Sequence, residues 1–315
     1  MNMLYGRYRF SCRLETRAIL PPYKGSTFRG VLGRSLKRVV CALKRQPCED
    51  CLLKERCLYT RVFETALSVE KHKGGRSGEP PHPFVIEPPL TTRTEFSAGE
   101  AFEFHLLLFG EVNSSLPYFV YAFEQMGKKG IGRKVNGERG RFCLEEVGSQ
   151  GETVFNAEER TIRRLENFED LRILPPSKET DEAVAIKVHL ETPLRLKFNN
   201  RLARELPFHV LVRGALRRVS SLMDYYDNEE PLLDYRGMVQ RASLVSIVDR
   251  RVQWHDWRRY SFRQDQAMLL GGMLGSVTYE GKLGEFIPLI ELCSKIHLGK
   301  QTSFGLGKIR VEILK

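Results

Sequence analysis

The fold of this chain is indicated by a segment that occurs twice. Residues 14–45 read LETRAILPPYKGSTFRGVLGRSLKRVVCALKR, and residues 190–223 read LETPLRLKFNNRLARELPFHVLVRGALRRVSSLM. In both, LET opens an apolar stretch typical of a β-strand, and an amphipathic helix follows. The apolar residues of each helix share one stripe of 3.6-residue period, so one face of each helix is predicted to pack on a core. The stripes are Phe28, Val31, Leu32, Leu36, Val39, Val40 and Leu43, and Phe208, Leu211, Val212, Ala215, Leu216 and Val219.

A basic, glycine-rich segment lies near the end of each half. Residues 126–147 read MGKKGIGRKVNGERGRFCLEEV, and residues 298–314 read LGKQTSFGLGKIRVEIL. Each follows a short amphipathic helix candidate and runs into a strand. Their spacing does not match G-x-x-x-x-G-K-[ST], which excludes a nucleotide-binding P-loop. Further strand candidates at 102–109 and 241–254 complete the order β-α-β-β-α-β in each half.

This order predicts an α+β protein of two tandem ferredoxin-like (βαββαβ, RRM-like) domains. A polar stretch with two prolines, residues 174–181, precedes the second LET strand and is typical of a linker. We therefore predict an N-terminal domain over residues 1–176, with a cysteine-rich insertion at about 41–57. The C-terminal domain is predicted over residues 177–315 and ends in the glycine loop.

Composition narrows the class of partner. Lysine and arginine number 50 against 39 acidic residues, a formal net charge of +11, which favours a polyanion such as nucleic acid. Apolar runs fall short of the ~20 residues that span a bilayer, and the N-terminus does not resemble a signal peptide. We expect a cytoplasmic protein, monomeric or homodimeric, that does not enter a membrane.

Four of the seven cysteines lie close together in the sequence. Cys41, Cys48, Cys51 and Cys57 have the spacing C-x6-C-x2-C-x5-C in a mostly charged stretch. Thiolates at these spacings can bind one tetrahedral Zn²⁺, although an iron-sulfur cluster or unligated thiols stay as alternatives. Four protein ligands would leave no open position, so the metal would be structural. The isolated cysteines are predicted to fill the core and are Cys12, Cys143 and Cys293.

The glycine loops and an aromatic, arginine-rich stretch are candidates for contact with RNA. Glycines allow close approach of a backbone to phosphates, and neighbouring cations supply counter-charge, although a tight helix-to-strand turn is the alternative. Residues 254–266, WHDWRRYSFRQDQ, suit base stacking, or anchor a core through their tryptophans. The predicted RNA-binding residues are Arg29, Arg38, Lys128, Lys129, Arg133, Arg259, Arg263, Lys300 and Lys308.

The histidines do not form a known catalytic motif. His105, His189 and His209 lie in strand-like or helix-start positions and are predicted to be structural. His72 and His82 lie in EKHKGGRSGEPPHPF, residues 70–84, which is typical of a mobile loop. His72 stands between two lysines, which would pair a titratable base with cations; an exposed histidine without a role is the alternative.

Several stretches together resemble the CRISPR repeat-processing endoribonucleases of the RAMP superfamily. They are YKGSTFRGVLGRSLKR, the four-cysteine insertion, PHPFVIEPP, LPYFVYAFEQMGKKGIGR, WRRYSFRQ and HLGKQTSFGLGKI, in the expected order over nearly the whole chain. The resemblance implies binding of CRISPR repeat RNA, together with other CRISPR-associated proteins, and cleavage within each repeat. It implies chemistry without a catalytic metal, in which the 2′-hydroxyl attacks the adjacent phosphate and leaves a cyclic phosphate and a 5′-hydroxyl.

Many relatives carry a histidine in or near the first helix, whereas this chain has none from Ile19 to Arg61 and carries Arg34 in that region. We predict that Arg34 and Lys37 stabilise the phosphorane and that His72 is brought in by its loop. The main alternative is a RAMP-fold protein that holds repeat RNA, or belongs to an effector complex, without cutting. A third is a zinc-containing enzyme of unrelated chemistry whose substrate is not RNA.

Overall fold

The computed structural model describes most of the chain. The described residues are 3–68, 79–163, 168–174, 184–227, 231–261 and 266–314, with side chains left out at 258–261 and 266–268. The chain divides into two compact units between Asp170 and Leu171. The predicted boundary after residue 176 lies outside the described residues.

The described residues of the first unit form three helices and a set of antiparallel strands. The helices are α1 (Gly25–Val40), α2 (Leu58–Phe63) and α3 (Leu116–Lys129), with 3-10 turns at Thr65–Leu67 and Gly110–Ser115. The strands are β1 (Met3–Leu14), β2 (Ala18–Ile19), β3 (Phe84–Glu87), β4 (Glu95–Phe96), β5 (Ala101–Phe109), β6 (Ile131–Val135), β7 (Glu138–Gly140), β8 (Phe142–Ser149), β9 (Glu152–Asn156), β10 (Thr161–Ile162) and β11 (Glu169–Leu171).

The main sheet of the first unit has the order β10-β9-β8-β1-β5-β3, and a small sheet has the order β4-β2-β6-β7. In β1, Phe10 pairs with Phe104 of β5 and Val147 of β8. The helices cover this face of the sheet. The ring of Phe28 in α1 lies 5.2 Å from that of Phe104, and Phe123 in α3 lies 4.7 Å from Phe10. These buried rings form the core that positions α1.

The part of the second unit that the structure describes repeats this plan with three more helices. The helices are α4 (Phe208–Tyr226), α5 (Tyr235–Ala242) and α6 (Ile287–Ile296), with a 3-10 turn at Thr302–Phe304. The strands are β12 (Ala185–Leu194), β13 (Lys197–Phe198), β14 (Arg201–Leu202), β15 (Ser246–Ser261), β16 (Gln266–Glu280) and β17 (Ile309–Leu314). The sheet has the order β15-β16-β12-β17, and Phe208 of α4 packs against the buried ring of Tyr279 at 4.9 Å.

The two units share one topology. In chain order their central elements are β1-α1-β3-β5-α3-β8 and β12-α4-β15-β16-α6-β17. When the four central strands of each unit are numbered along the chain, their order across the sheet is fourth, first, third, second. Every pairing among them is antiparallel. The predicted α+β class and the predicted order of elements are therefore confirmed. Among the described residues, no helix is long and apolar enough to span a bilayer.

Some details differ from the sequence prediction. LET does not open the strands: Leu14 is the last residue of β1, which begins at Met3, and Leu190 lies within β12. The sequence did not predict the parts of β1 and β12 that precede LET. One face of each strand is covered and the other is open, so buried residues alternate with polar or charged ones and the segment is not continuously apolar. Leu43 lies beyond α1 and is exposed.

The isolated cysteines divide into two groups. Cys12 and Cys293 are buried, as predicted, and burial raises the pKa of Cys293 to about 12. The prediction was wrong for Cys143, which is exposed. Cys143 pairs with Arg13 in the register of β8 with β1, while the neighbouring Leu144 points inward and is buried. Period-two alternation places the cysteine on the outer face.

Candidate nucleic-acid interface

The basic face of α1 is shaped by the short helix α2. Arg29, Gly33 and Lys37 are four residues apart, so they lie on one face of α1. Phe63 of α2 packs on this face at Gly33, where an added Cβ would lie 3.0 Å from the ring. Glycine in a helix costs about 0.5–1 kcal/mol relative to alanine, and here it allows the ring to approach the backbone.

Two aromatic rings of α2 hold two of the predicted cations. Tyr59 and Phe63 stack with centroids 5.4 Å apart and planes at 13°. Lys37 Nζ lies 5.1 Å from the Tyr59 ring, and the Arg29 guanidinium carbon lies 5.1 Å from the Phe63 ring. Cation-π contacts of this kind contribute about 0.5–1 kcal/mol at exposed sites. They place Arg29 and Lys37 along one surface, which we call the α1–α2 face.

A histidine completes this face. His82 Nε2 lies 2.9 Å from Arg29 Nη2, and His82 Nδ1 lies 3.0 Å from the carbonyl oxygen of Val62. The sequence predicted a mobile loop here, and this was wrong for His82. The residue is half-buried just before β3, and its ring lies 5.8 Å from that of Phe84. Pro81 and Pro83 on either side restrict the backbone, a signal that favoured a fixed position.

Lys37 is a cation at neutral pH. Burial works to lower its pKa, but the hydrogen bond to Cys48 and the nearby Cys48, Tyr59 and Cys41 side chains outweigh burial, so the pKa is raised above its usual value. A lysine in this state does not serve as a base. It can stabilise negative charge that develops on a phosphate.

Arg34 belongs to a second basic cluster. The residue is exposed overall, but its charged group is partly desolvated, and this desolvation and repulsion from Arg139 and Arg38 lower its pKa. Arg139 of β7 donates a hydrogen bond to the carbonyl oxygen of Gly132. The sequence grouped Arg34 with Lys37, whereas the electrostatic repulsion on Arg34 comes from Arg38 and Arg139. An anion at this cluster would relieve the repulsion among the three guanidinium groups.

The first glycine loop is a tight turn that carries exposed cations. Gly132 has φ of 81°, and an added Cβ would lie 2.2 Å from the carbonyl oxygen of Ile19. The glycine is therefore required by packing and backbone conformation. Lys128 and Lys129 at the end of α3, and Arg133 in β6, are exposed, as an RNA-facing role requires.

The terminal glycine loop uses its backbone amides within the protein. The amides of Leu298 and Gly307 donate to Gly307 and Pro193 carbonyls, and that of Lys308 donates to Thr192 Oγ1 at 2.8 Å. These amides are therefore engaged and do not form the phosphate cradle that the glycine spacing suggested. The loop is fixed further by buried Arg218, which donates to the carbonyl oxygens of Ile296 and His297. Lys300 is exposed, and Lys308 is half-buried.

The aromatic stretch lies on the long hairpin of β15 and β16. Arg204 lies 5.2 Å from the Trp254 ring, whose Nε1 donates to Asp256. His255 and Trp257 stack at 6.0 Å. Of the predicted RNA-binding residues here, Arg263 and the side chain of Arg259 lie outside the described part of the chain. The predicted catalytic residue His72 also lies outside it.

The four clustered cysteines lie in the segment that connects α1 to α2. Cys41 follows the last residue of α1, Cys57 precedes the first residue of α2, and the amide of Cys51 donates to the Cys48 carbonyl oxygen at 3.3 Å. Among the described residues, no group of three or more His, Cys, Asp or Glu side chains is placed to hold a metal ion. The arrangement does not fit a metal as it stands, and the zinc site stays a prediction from spacing.

Two family models match the chain in successive segments. Residues 3–167 match AF_1859_N, described as an N-terminal domain. Residues 188–309 match the family described as CRISPR-associated endoribonuclease Cas6. The chain belongs to the AF_1859_N family, whose model matches more than half of it, and residues 188–309 are similar to the Cas6 family. The resemblance read from the sequence is thereby confirmed.

The matches to several individual proteins extend over nearly the whole chain. A protein of Archaeoglobus fulgidus named "Uncharacterized protein" is 25% identical over 299 residues, which are 93% of each chain. Thermus thermophilus Cas6 is similar in structure, with a TM-score of 0.55 and 12% identity, over 99% of this chain and 100% of that one.

A partial Cas6-RT-Cas1–Cas2 complex has a TM-score of 0.61 and 13% identity, over 99% of this chain. This chain spans 46% of the length of that matched chain. At these identities the solved structures show a shared fold.

Sequence reasoning missed His82, Arg139 and the aromatic pair Tyr59 and Phe63. The spacing of the two rings by four residues, just after the last clustered cysteine, was the available signal for α2. Arg139 gave no such signal, because its proximity to Arg34 depends on how β7 lies beside α1.

Proposed function

We propose that the protein is an endoribonuclease that binds CRISPR repeat RNA and cleaves it. The match of residues 188–309 to CRISPR-associated endoribonuclease Cas6 carries this proposal. The exposed or half-buried cations of the α1–α2 face and of the Arg34 cluster support it, because RNA backbones are bound by such groups. We also propose that the two units are tandem ferredoxin-like domains, supported by their common strand order.

The proposed chemistry uses protein groups alone. The 2′-oxygen attacks the adjacent phosphorus while the bond from phosphorus to the 5′-oxygen breaks, which leaves a cyclic phosphate and a 5′-hydroxyl. Arg34 and Lys37 stabilise the phosphorane, and the raised pKa of Lys37 suits it to that role. His72 accepts the proton of the 2′-hydroxyl in this scheme, and water protonates the leaving oxygen.

The proposed partners follow from the relatives. They are CRISPR repeat RNA and other CRISPR-associated proteins, since one structural relative is named as part of a Cas6-RT-Cas1–Cas2 complex. We propose a cytoplasmic monomer or homodimer. A RAMP-fold protein that binds repeat RNA without cutting is the second candidate, favoured by the absence of histidine from residues 20–60.

Cleavage of defined RNA tests the proposal. The purified protein is incubated in EDTA with repeat RNA from its own locus, and then with RNA carrying a 2′-deoxy nucleotide at the cut. We expect cleavage of the first and none of the second. Binding without cleavage of the all-ribose RNA would support the second candidate, and cleavage of the deoxy substrate would exclude the 2′-hydroxyl mechanism. Full activity of His72→Ala would exclude His72 as the base.

A further inference from the structure

We propose that His82 is a positioning residue that holds the Arg29 guanidinium as a preformed binding group for an RNA phosphate. This inference rests on the proposed RNA-binding function and names a part of its site. It begins with three contacts from separate segments of the chain. Arg29 is in α1, the Val62 carbonyl and the Phe63 ring are in α2, and His82 precedes β3.

The hydrogen bonds define the state of the imidazole. The carbonyl oxygen of Val62 only accepts, so His82 Nδ1 carries a proton and donates to it. The guanidinium of Arg29 only donates, so Nε2 carries a lone pair and accepts from Nη2. His82 is therefore the neutral tautomer with the proton on Nδ1. A second proton, on Nε2, would face the arginine and break this contact.

The same contacts restrict the guanidinium. The guanidinium makes the hydrogen bond to Nε2 at 2.9 Å and lies with its carbon 5.1 Å from the centre of the Phe63 ring. Arginine loses rotamer entropy when its side chain is immobilised, so a group already held in place binds an anion at lower cost. Arg29 is half-buried and therefore partly open to solvent.

Charge along the α1–α2 face favours a polyanion as the ligand. Lys37 follows Arg29 by eight residues, which is about 12 Å along a helix, and a lysine ordinarily carries a positive charge at neutral pH. Two cations separated by this length suit two phosphates of one strand, with at least one nucleotide step between them, better than a single small anion. We therefore assign the face to the RNA backbone.

Substitutions at residue 82 test the positioning role. His82→Phe keeps a ring beside Phe84 but has neither nitrogen, and His82→Gln keeps one donor and one acceptor. We expect His82→Phe to weaken repeat-RNA binding about tenfold, as Arg29→Ala does, with the double variant no weaker than Arg29→Ala alone. His82→Gln should recover part of the loss. His209→Phe, at a half-buried histidine beside Phe198, is the matched control and should bind like the wild type.

A second measurement does not need RNA. Long-range ¹H–¹⁵N spectra of the wild type at neutral pH should show His82 with its proton on Nδ1. A proton on Nε2, or a His82→Phe variant that folds and binds RNA like the wild type, would overturn the proposal. So would a double variant whose loss of RNA affinity equals the sum of the losses of Arg29→Ala and His82→Phe. If His82→Phe does not fold, His82→Gln and the spectra decide. A wild type that binds no repeat RNA defeats the proposed function instead, whatever the tautomer.

Discussion

Gly33 of α1 lies directly against the ring of Phe63 of α2, so closely that an added Cβ would be 3.0 Å from the ring. This contact brings the aromatic rings of α2 under Arg29 and Lys37. A glycine in the middle of a helix thus decides where two cations lie.

Gly33→Leu should therefore separate the two helices. The larger side chain overpacks the contact, and we expect a loss of about 1–3 kcal/mol in the free energy of unfolding together with weaker RNA binding. Urea unfolding and RNA titration measure the two effects. Gly33→Ala is the graded comparison, since one methyl group requires a much smaller shift of Phe63. Equal RNA affinity of the leucine variant and the wild type would contradict this account of the face.

Arg34→Ala should weaken RNA binding and change its dependence on salt. If Arg34 contacts one phosphate, the slope of log K against log salt should become shallower by about 0.7–0.9. Titrations at several salt concentrations give the slope. Arg13→Ala is the control, because Arg13 is an exposed arginine already paired with Glu145 at 2.6 Å and should leave the slope unchanged. An unaltered slope for Arg34→Ala would place this residue outside the RNA site.

Lys24, at the start of α1, should make stability depend on alkaline pH. Its side chain is buried and donates to the carbonyl oxygens of Pro22 and Thr91, and burial, with repulsion from Arg93, lowers its pKa from 10.5 to about 8. Between these values the unfolded chain binds more protons than the folded one, so this group makes stability rise with pH. Below the window both states are protonated, and above it neither is.

Unfolding of the wild type and of Lys24→Met at pH 7.5 and pH 9.5 tests this. We expect the free energy of unfolding of the wild type to increase relative to the variant at the higher pH. Other groups that titrate in this range are common to both proteins and cancel in the difference. Parallel pH profiles would show that Lys24 titrates near its ordinary pKa in the folded state.

Metal analysis tests the cysteine prediction separately from RNA binding. The spacing of Cys41, Cys48, Cys51 and Cys57 predicts one zinc ion per chain and thiols that react only after a chelator is added. Cys48→Ser with Cys51→Ser should abolish the bound zinc, while Cys143→Ser, at an exposed isolated thiol, should not. Absence of zinc and iron with all four thiols reactive would defeat the prediction, and iron in place of zinc would indicate the cluster.

The periodic spacing of apolar residues predicted most of the fold, because apolar residues at helical spacing lie on one face of a helix and that face is buried. The stripe from Phe28 to Leu36 is buried, and so are all six positions of the stripe predicted for α4, from Phe208 to Val219. The order of elements followed from the repeat, since each half must cover one face of its sheet with two helices. The first residues of strands and the ends of helices were less predictable. In β1, for example, charged residues alternate with apolar ones, so the segment lacks the continuous apolar pattern that was used to find strands.

The candidate site was predictable only in part. Features that depend on neighbouring residues were predicted, whereas contacts between residues far apart in the sequence were not. The family resemblance, the duplicated order of elements and a first helix rich in cations were all visible in the amino-acid sequence. Packing of distant segments set which side chains act together: Arg29 with the neutral His82, which are 53 positions apart, and Arg34 with Arg139, which are farther apart still. The physical reason is that helical and strand periods act over a few residues, whereas the partners of a side chain are chosen by the packing of whole elements.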